Sequence, residues 1–174
     1  VGKVGGASAG TFDCLLALGK QQINLADKRT DFGRPFVRHP CKVALADPFL
    51  TLGRAAEATA LVREAWRDDR LSGRAQNVVR GSFWSSLSQD DHRARVDALL
   101  WREDYASARE LMPEIGYDDR LVAQARIALQ TRPRRGLQAV VDAVPSSHQD
   151  DPGFLYDRAR YIIAQGRWDD AAQY

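Results

Sequence analysis

The sequence is poor in the residue types that build metal and catalytic sites. Its 174 residues include two Cys, three His and five Glu. Cys14 and Cys41 form no Cys-x-x-Cys pair, so they predict neither a metal site nor a disulfide scaffold, and a single bridge between them stays open. His39, His92 and His148 lack the i, i+4 spacing of helical metal ligands, and we expect solvated or capping roles for them. We therefore predict no bound metal.

Signatures of a membrane span, a cofactor and a catalytic acid are also missing. No apolar run approaches the ~20 residues that cross a bilayer. No signal peptide is visible in residues 1–10, so a secreted protein would be present as a mature form or fragment. No glycine-rich phosphate fingerprint or Gly-x-Ser-x-Gly elbow occurs. No glutamate has the apolar setting that raises the pKa of a general acid; the five are Glu57, Glu64, Glu103, Glu110 and Glu114. We predict no catalytic or cofactor-binding residue.

Positive charge is not spread over the main body of the chain. Residues 1–42 carry four Lys and three Arg against three Asp, a net charge of +4, whereas residues 43–174 carry eighteen Arg against twenty acidic residues, a net charge of −2. A nucleic-acid interface needs clustered cations, so we predict no nucleic-acid partner. Arg132, Arg134 and Arg135 surround Pro133 and would suit a phosphate or a glycan carboxylate. We interpret them as a solvated helix start.

Helical periodicity is what the sequence does contain. It predicts an atypical N-terminal segment, residues 1–42, partly loop or extended, and a helical body, residues 43–174. No stretch shows the alternation of a strand. The predicted helices cover residues 11–26, 43–52 with a break near Pro48, 54–70, 73–86, 88–101, 104–112, 118 to about 130, 133–144, 151 to about 165, and 168 onward. Ser88 and Asp91 predict a capping box, and Pro152 after Asp151 predicts another helix start.

A turn pattern recurs along the body. Phe49–Ala58, Leu99–Ala108 and Ile162–Ala171 each contain two apolar residues, a turn and a second helix with Ala five residues beyond the turn position. The turn residue is Gly53 or Gly166 in two copies and Glu103 in the third, and a fainter copy ends at Gly136. Glycine suits the positive φ that closes a helix, and the alanine permits close helix crossing.

The repeat predicts an all-α fold, a superhelical array of antiparallel helix hairpins of tetratricopeptide type, with a non-repetitive helical bundle as the alternative. The four tryptophans stand at helix-face spacing, which is typical of core residues rather than sugar-stacking ones. They are Trp66, Trp84, Trp101 and Trp168. Trp101 and Trp168 adjoin repeat turns, so we expect them to plug the hairpin interfaces.

Four runs resemble the soluble lytic murein transglycosylases. They are Arg63–Ser72 (REAWRDDRLS), Leu87–Trp101 (LSQDDHRARVDALLW), Ala125–Gln130 (ARIALQ) and Asp151–Arg160 (DPGFLYDRAR). Their order and spacing agree with that family from about residue 43 to residue 174, whereas residues 1–42 match it poorly. Generic helical repeats do not share such runs.

The resemblance implies a periplasmic protein with a long α-superhelical region before a C-terminal lysozyme-like domain. In that family the later domain cleaves the MurNAc–GlcNAc bond without water, leaves a 1,6-anhydro sugar, and uses a Glu in a Glu-Ser motif. No Glu-Ser dipeptide occurs here, so no catalytic residue carries over. The implied role is non-catalytic: the segment positions the catalytic domain, its partner in cis, and peptidoglycan glycan strands for cell-wall turnover. The alternative is a tetratricopeptide-like adaptor for a peptide or protein.

Overall fold

The structure, a computed structural model, describes residues 40–68 and 70–174. The predicted helix at residues 11–26, Cys14, His39 and the side chain of Cys41 lie outside the described part. Contacts divide the chain after Leu87 into two compact units. Each unit is described by itself.

The described residues are helical, and no β-strand occurs among them. This confirms the all-α prediction for that part of the chain. Nine α-helices run through it: α1 Pro40–Thr51, α2 Ala55–Asp68, α3 Gly73–Val78, α4 Gln89–Trp101, α5 Tyr105–Leu111, α6 Tyr117–Thr131, α7 Leu137–Asp142, α8 Pro152–Ile163 and α9 Trp168–Ala171. A π-helical turn, Val79–Phe83, extends α3, and short 3₁₀ turns occupy Trp84–Ser86, Met112–Glu114 and Ser146–His148.

In the unit that ends at Leu87, α1 packs on α2 across a short turn. The buried face of α2 consists of Ala58, Val62, Ala65 and Trp66, which lie within the apolar face that the sequence predicts. Trp66 makes an edge-to-face contact with Trp84, with ring centroids 5.6 Å apart. Aromatic pairs favour this geometry because the positive ring edge meets the negative ring face.

Proline positions account for two differences from the predicted boundaries. Helix α1 begins at Pro40, three residues earlier than expected, and continues through Pro48 without a break. Proline suits a first helical position because its missing N–H has no partner there. Pro133 was expected to start a helix, but α7 begins four residues later, at Leu137.

In the unit from Ser88 to Tyr174, α6 is the central element. It contacts α4, α7 and α8. Seven of the eight α6 residues from Val122 to Leu129 are buried. An apolar cluster forms where α6, α7 and α8 meet, built on Ala125, Leu129, Val144 and Phe154. Helix α6 is the longest helix described. Its central position explains why buried residues occur around most of its circumference.

The recurring turns have the backbone conformation that the repeat predicts. Gly53, Gly136 and Gly166 have φ of 72°, 80° and 76°, and Glu103 has φ of 58°. Glycine adopts this region without steric cost, whereas a residue with Cβ is strained there by about 1–2 kcal/mol. Glu103 therefore occupies a turn position shaped for glycine.

The recurring alanines are buried in two copies of the pattern. Ala58 and Ala108 are fully buried, Ala171 is half-buried, and Ala106, two residues before Ala108, is exposed. The contrast between Ala106 and Ala108 agrees with the predicted register of the second hairpin.

The expectation for two of the tryptophans is wrong. Trp101 is 49% exposed and Trp168 is 66% exposed, so neither ring plugs a hairpin interface. Trp66 is buried, as expected of a core residue. A position beside a repeat turn therefore does not itself determine burial.

Candidate functional site

A buried guanidinium joins three helices in the unit from Ser88 to Tyr174. Arg126 on α6 is 2% exposed. Its Nε donates to Asp157 Oδ2 on α8 at 2.8 Å, and its Nη1 donates to Asp97 Oδ1 on α4. Gln130, one turn along α6, donates to the same Asp157 oxygen at 2.8 Å. A buried charge needs such pairing because desolvation of an isolated ion is costly.

Gly153 makes room for this guanidinium. A Cβ on Gly153 would lie 2.7 Å or less from the Arg126 atoms Nη1, Nη2 and Cζ. Asp151 accepts from the Phe154 backbone N–H at 2.8 Å and caps α8, which confirms the predicted helix start. The run Asp151–Arg160 thus supplies the N-cap of α8, the glycine that lets the Arg126 guanidinium approach, and Asp157, the buried partner of Arg126.

A cleft of about 270 Å³ lies beside Arg126. Its aliphatic lining comes from Val96, Leu100, Ile115 and Val122, all of which are buried in the core. The lining side chains that reach solvent are mostly charged or aromatic: Arg93, Asp97, Trp101, Asp119 and Asp151, with the apolar Ala94 and Pro152 beside them. The cleft therefore has an apolar floor and a polar, aromatic rim.

Trp101 lines this cleft, and its half-exposed ring contacts a second half-exposed ring, that of Tyr156. The Trp101 and Tyr156 centroids are 5.0 Å apart, and the ring planes are inclined at 48°. The Arg126 guanidinium lies 5.1 Å from the Trp101 ring centroid, within the range of a cation–π contact. Trp101 is therefore held by Arg126 and Tyr156 while about half of its surface stays open.

An ion pair lies next to these rings. Arg160 Nη1 donates to Glu103 Oε1 at 2.9 Å. This hydrogen bond, together with the charge of Glu103, raises the pKa of Arg160 above its usual value. Burial, followed by the negative charge of Glu103, raises the pKa of Tyr105. The carboxylate of Glu103 thus connects the strained turn to α8.

The predicted capping box is confirmed. Ser88 accepts from the Asp91 backbone N–H at 3.2 Å, and the Asp91 carboxylate accepts from the Ser88 backbone N–H at 2.7 Å. Asp91, His92 and Arg95 are all buried. Of the two roles expected for His92, solvated or capping, the solvated one is therefore wrong, although Gln89 and Asp90 in the same turn are exposed.

His148 lies near an acidic side chain at the rim of the cleft. Its Nε2 lies 3.8 Å from Asp119 Oδ1, and its Nδ1 is 2.9 Å from Ser147 Oγ. The order Ser, His, Asp resembles a hydrolytic triad, but 3.8 Å is too long for a hydrogen bond. Ser147 is exposed and lies in a 3₁₀ turn. We interpret His148 as a partner of Asp119 at the cleft rim.

The glutamates have structural partners rather than the setting of a general acid. Lys42 donates to Glu64 at 2.8 Å, and Glu57 accepts two bonds from Arg54. The hydrogen bonds from Arg54 lower the pKa of Glu57. A general acid needs the opposite shift. Glu103 is held by Arg160, and Glu114 lies in a 3₁₀ turn.

Among the described residues, neither the three arginines around Pro133 nor a metal site or membrane-spanning helix adds to the candidate site. Arg132, Arg134 and Arg135 are exposed, and Arg132 closes α6 in the left-handed conformation. No group of three His, Cys, Asp or Glu in residues 40–68 and 70–174 is arranged to hold a metal ion. A search of the same residues for a helix long and apolar enough to cross a membrane finds none.

Sequence reasoning missed Arg126, Asp157 and Tyr156. Arg126 has apolar neighbours in the sequence, and an arginine at such a position is usually exposed. The signal that could have identified Arg126 and Asp157 is the resemblance to the lytic transglycosylases. These two residues lie in two of the four runs that carry it, and Asp97 lies in a third.

Comparisons with protein-family models, curated proteins and solved structures give no match to this chain. Family membership therefore rests on the four sequence runs and is a proposal.

Proposed function

We propose that this chain is a non-catalytic segment of a periplasmic lytic transglycosylase that positions peptidoglycan glycan strands and a lysozyme-like catalytic domain. The observation that carries the proposal is the agreement of four runs in order and spacing with that family. Chance similarity between helical proteins preserves apolar spacing, whereas these runs also agree in polar and charged positions.

The positions of those polar residues support the proposal. The runs supply the capping box of α4, the buried Arg126–Asp157 pair and the half-exposed Trp101. A buried ion pair constrains the residues at both of its positions, because removing one partner leaves an uncompensated charge. Charged positions with such a role are more specific markers of a family than an apolar helix face.

The turns support a superhelical array of antiparallel hairpins. Short links join α1 to α2, α4 to α5 and α8 to α9, and each link contains a residue with positive φ at the same place in the pattern. Helices that contact each other across so short a link run antiparallel. Stacked hairpins of this kind form extended concave surfaces.

The chemistry of the described residues favours holding a glycan over cleaving it. Cleavage of a glycosidic bond needs a carboxylic acid kept protonated near neutral pH. Ion pairs hold Glu57, Glu64 and Glu103, and Glu114 lies in a 3₁₀ turn. Asp157, the buried partner of Arg126, accepts from a guanidinium and an amide.

The proposal is tested with purified peptidoglycan sacculi. The chain is incubated with sacculi, the pelleted fraction is measured after centrifugation, and soluble 1,6-anhydro-muropeptides are quantified against a buffer blank. We expect the chain to pellet and to release none. Reading the coding sequence beyond the codon for Tyr174 adds a second test, since a Glu-Ser motif in a lysozyme-like stretch is expected there.

Two results would count against the proposal. Release of anhydro-muropeptides by a preparation free of contaminating enzymes would make the chain catalytic. A chain that stays in the supernatant, together with a downstream sequence without a lysozyme-like stretch, would favour the tetratricopeptide-like adaptor.

A further inference from the structure

We propose that the cleft beside Trp101 binds one pyranose ring of a glycan, with Trp101 as the stacking surface and Tyr156 supporting its ring. This inference rests on the proposed function and assigns a ligand-contacting site to it. The site lies wholly within the unit from Ser88 to Tyr174 and is formed by α4, α6, α8 and their flanking turns.

The aromatic pair is the first argument. Trp101 and Tyr156 are 49% and 50% exposed although their rings contact each other at 5.0 Å. Large exposed aromatics on a helical protein mark a binding surface more often than isolated exposed aliphatic residues do. Arg126 and Tyr156 hold Trp101 in place, so little side-chain entropy is lost when a ligand covers it.

The rim of the cleft selects the ligand class. Asp97 and Asp119 offer carboxylate acceptors, and Arg93 offers guanidinium donors, within one small opening. Sugar hydroxyls donate and accept hydrogen bonds, so a polyhydroxyl ligand satisfies both kinds of group. A simple anion would be repelled by the carboxylates of Asp97, Asp119 and Asp151.

The volume and lining of the cleft argue against a peptide partner. An amphipathic helix binds through aliphatic anchors in an apolar groove, and an extended peptide adds to a sheet edge. The branched aliphatic residues lining this cleft are buried, and the described residues contain no sheet edge. The volume of about 270 Å³ falls just below the ~300 Å³ lower bound of drug-sized ligand sites, which suits a single ring.

The test uses a soluble β-1,4-linked tetramer of N-acetylglucosamine and the full chain. Binding is measured by calorimetry, and the Trp101 indole N–H is followed by NMR. We expect saturable binding that shifts this signal. Trp101→Ala is expected to weaken binding by about tenfold or more because the stacking surface is lost. Trp101→Phe keeps a flat ring and should retain most of the affinity.

Trp168→Ala is the matched control, since Trp168 is also exposed and lies outside the cleft. Its affinity should equal that of the unaltered chain. Circular dichroism and urea melts of each variant separate loss of binding from loss of folding. Absence of tetramer binding, or equal weakening by Trp101→Ala and Trp168→Ala, would overturn the assignment. A tryptic peptide mixture that shifts the Trp101 signal when the tetramer does not would also overturn it.

The failure of this inference is distinguishable from that of the proposed function. If the unaltered chain and Trp101→Ala pellet equally with sacculi and neither binds the tetramer, the cleft assignment is wrong and the proposed function stands. If the tetramer binds at Trp101 but the chain does not pellet with sacculi, the proposed function fails and the sugar site stands.

Discussion

The two units bury different kinds of residue. Among described residues up to Leu87, the buried side chains are apolar, from Val43 in α1 to Phe83 in the π-helical turn. From Ser88 onward, the core also contains Asp91, His92, Arg95, Arg126 and Asp157. Apolar burial is tolerant of exchange between similar residues, whereas a buried ion pair requires both partners in place. Mutations should therefore be tolerated differently in the two units.

The largest expected effect comes from breaking the Arg126–Asp157 pair. Arg126→Met leaves the buried Asp157 carboxylate without its cation, and we expect a loss of about 3–5 kcal/mol in the free energy of unfolding. Urea melts followed by circular dichroism measure this loss.

Two variants sharpen that result. Asp97→Ala removes the half-exposed carboxylate that pairs with Arg126. We expect it to lower the free energy of unfolding by about 1 kcal/mol or less because solvent already screens this carboxylate. Arg126→Met combined with Asp157→Leu should recover part of the loss, since it leaves no unpaired charge. Equal costs for Asp97→Ala and Arg126→Met would contradict this account of the cluster.

The second prediction compares glycines in the two units. Gly153→Ala places a methyl group against a guanidinium that is fixed by two carboxylates, and overpacking of this kind costs about 1–3 kcal/mol. Gly81, in the π-helical turn, has no atom within 4 Å of an added Cβ. Gly81→Ala should therefore be neutral or stabilising, by up to about 1 kcal/mol, because alanine favours helix. Similar losses for both variants, measured as shifts in the urea midpoint, would remove the special role of Gly153.

The third prediction concerns the repeat alanines, which occur in both units. Ala108→Leu and Ala58→Leu should each cost about 1–3 kcal/mol, since both sites are fully buried where hairpin helices pack. Ala106→Leu, on the exposed side of the same helix as Ala108, should cost much less. Urea melts that show an equal or larger loss for Ala106→Leu would refute the alignment of the hairpins.

The smallest expected effect is at the turn that lacks glycine. Glu103→Gly relieves a positive φ that costs about 1–2 kcal/mol. It also removes the exposed ion pair to Arg160, which is worth about 0–1 kcal/mol. We expect a net stabilisation of about 1 kcal/mol or less, seen as a small rise in thermal midpoint. A clear fall would show that the Glu103–Arg160 contact contributes more than its exposure implies.

Local rules predicted most of the helices because their signals lie within a few residues of each other. The capping box at Ser88, the cap at Asp151 and the positive φ at three turns all follow from short-range chemistry. The start of α7 was misplaced because a proline suits a loop as well as a first helical turn.

The candidate site was not predicted because it depends on contacts between distant segments. Arg126 meets Asp97 and Asp157, which are 29 and 31 residues away. Helical periodicity assigns a face to each residue but does not pair faces across helices. The exposure of Trp101 has the same origin: its position before a turn is local, but its environment is set by α6 and α8.

Sacculus binding as a function of salt tests the central claim, that this chain holds glycan strands without cutting them, most directly. Electrostatic attraction between exposed charges is screened at ionic strengths of about 0.5 M, whereas stacking of a sugar ring on Trp101 is not. The account predicts that the chain still pellets with sacculi at about 0.5 M NaCl and releases no anhydro-muropeptides. Release of anhydro-muropeptides at any salt concentration, or absence of pelleting at every salt concentration, would contradict it, whereas loss of pelleting at high salt alone would contradict only the stacking on Trp101.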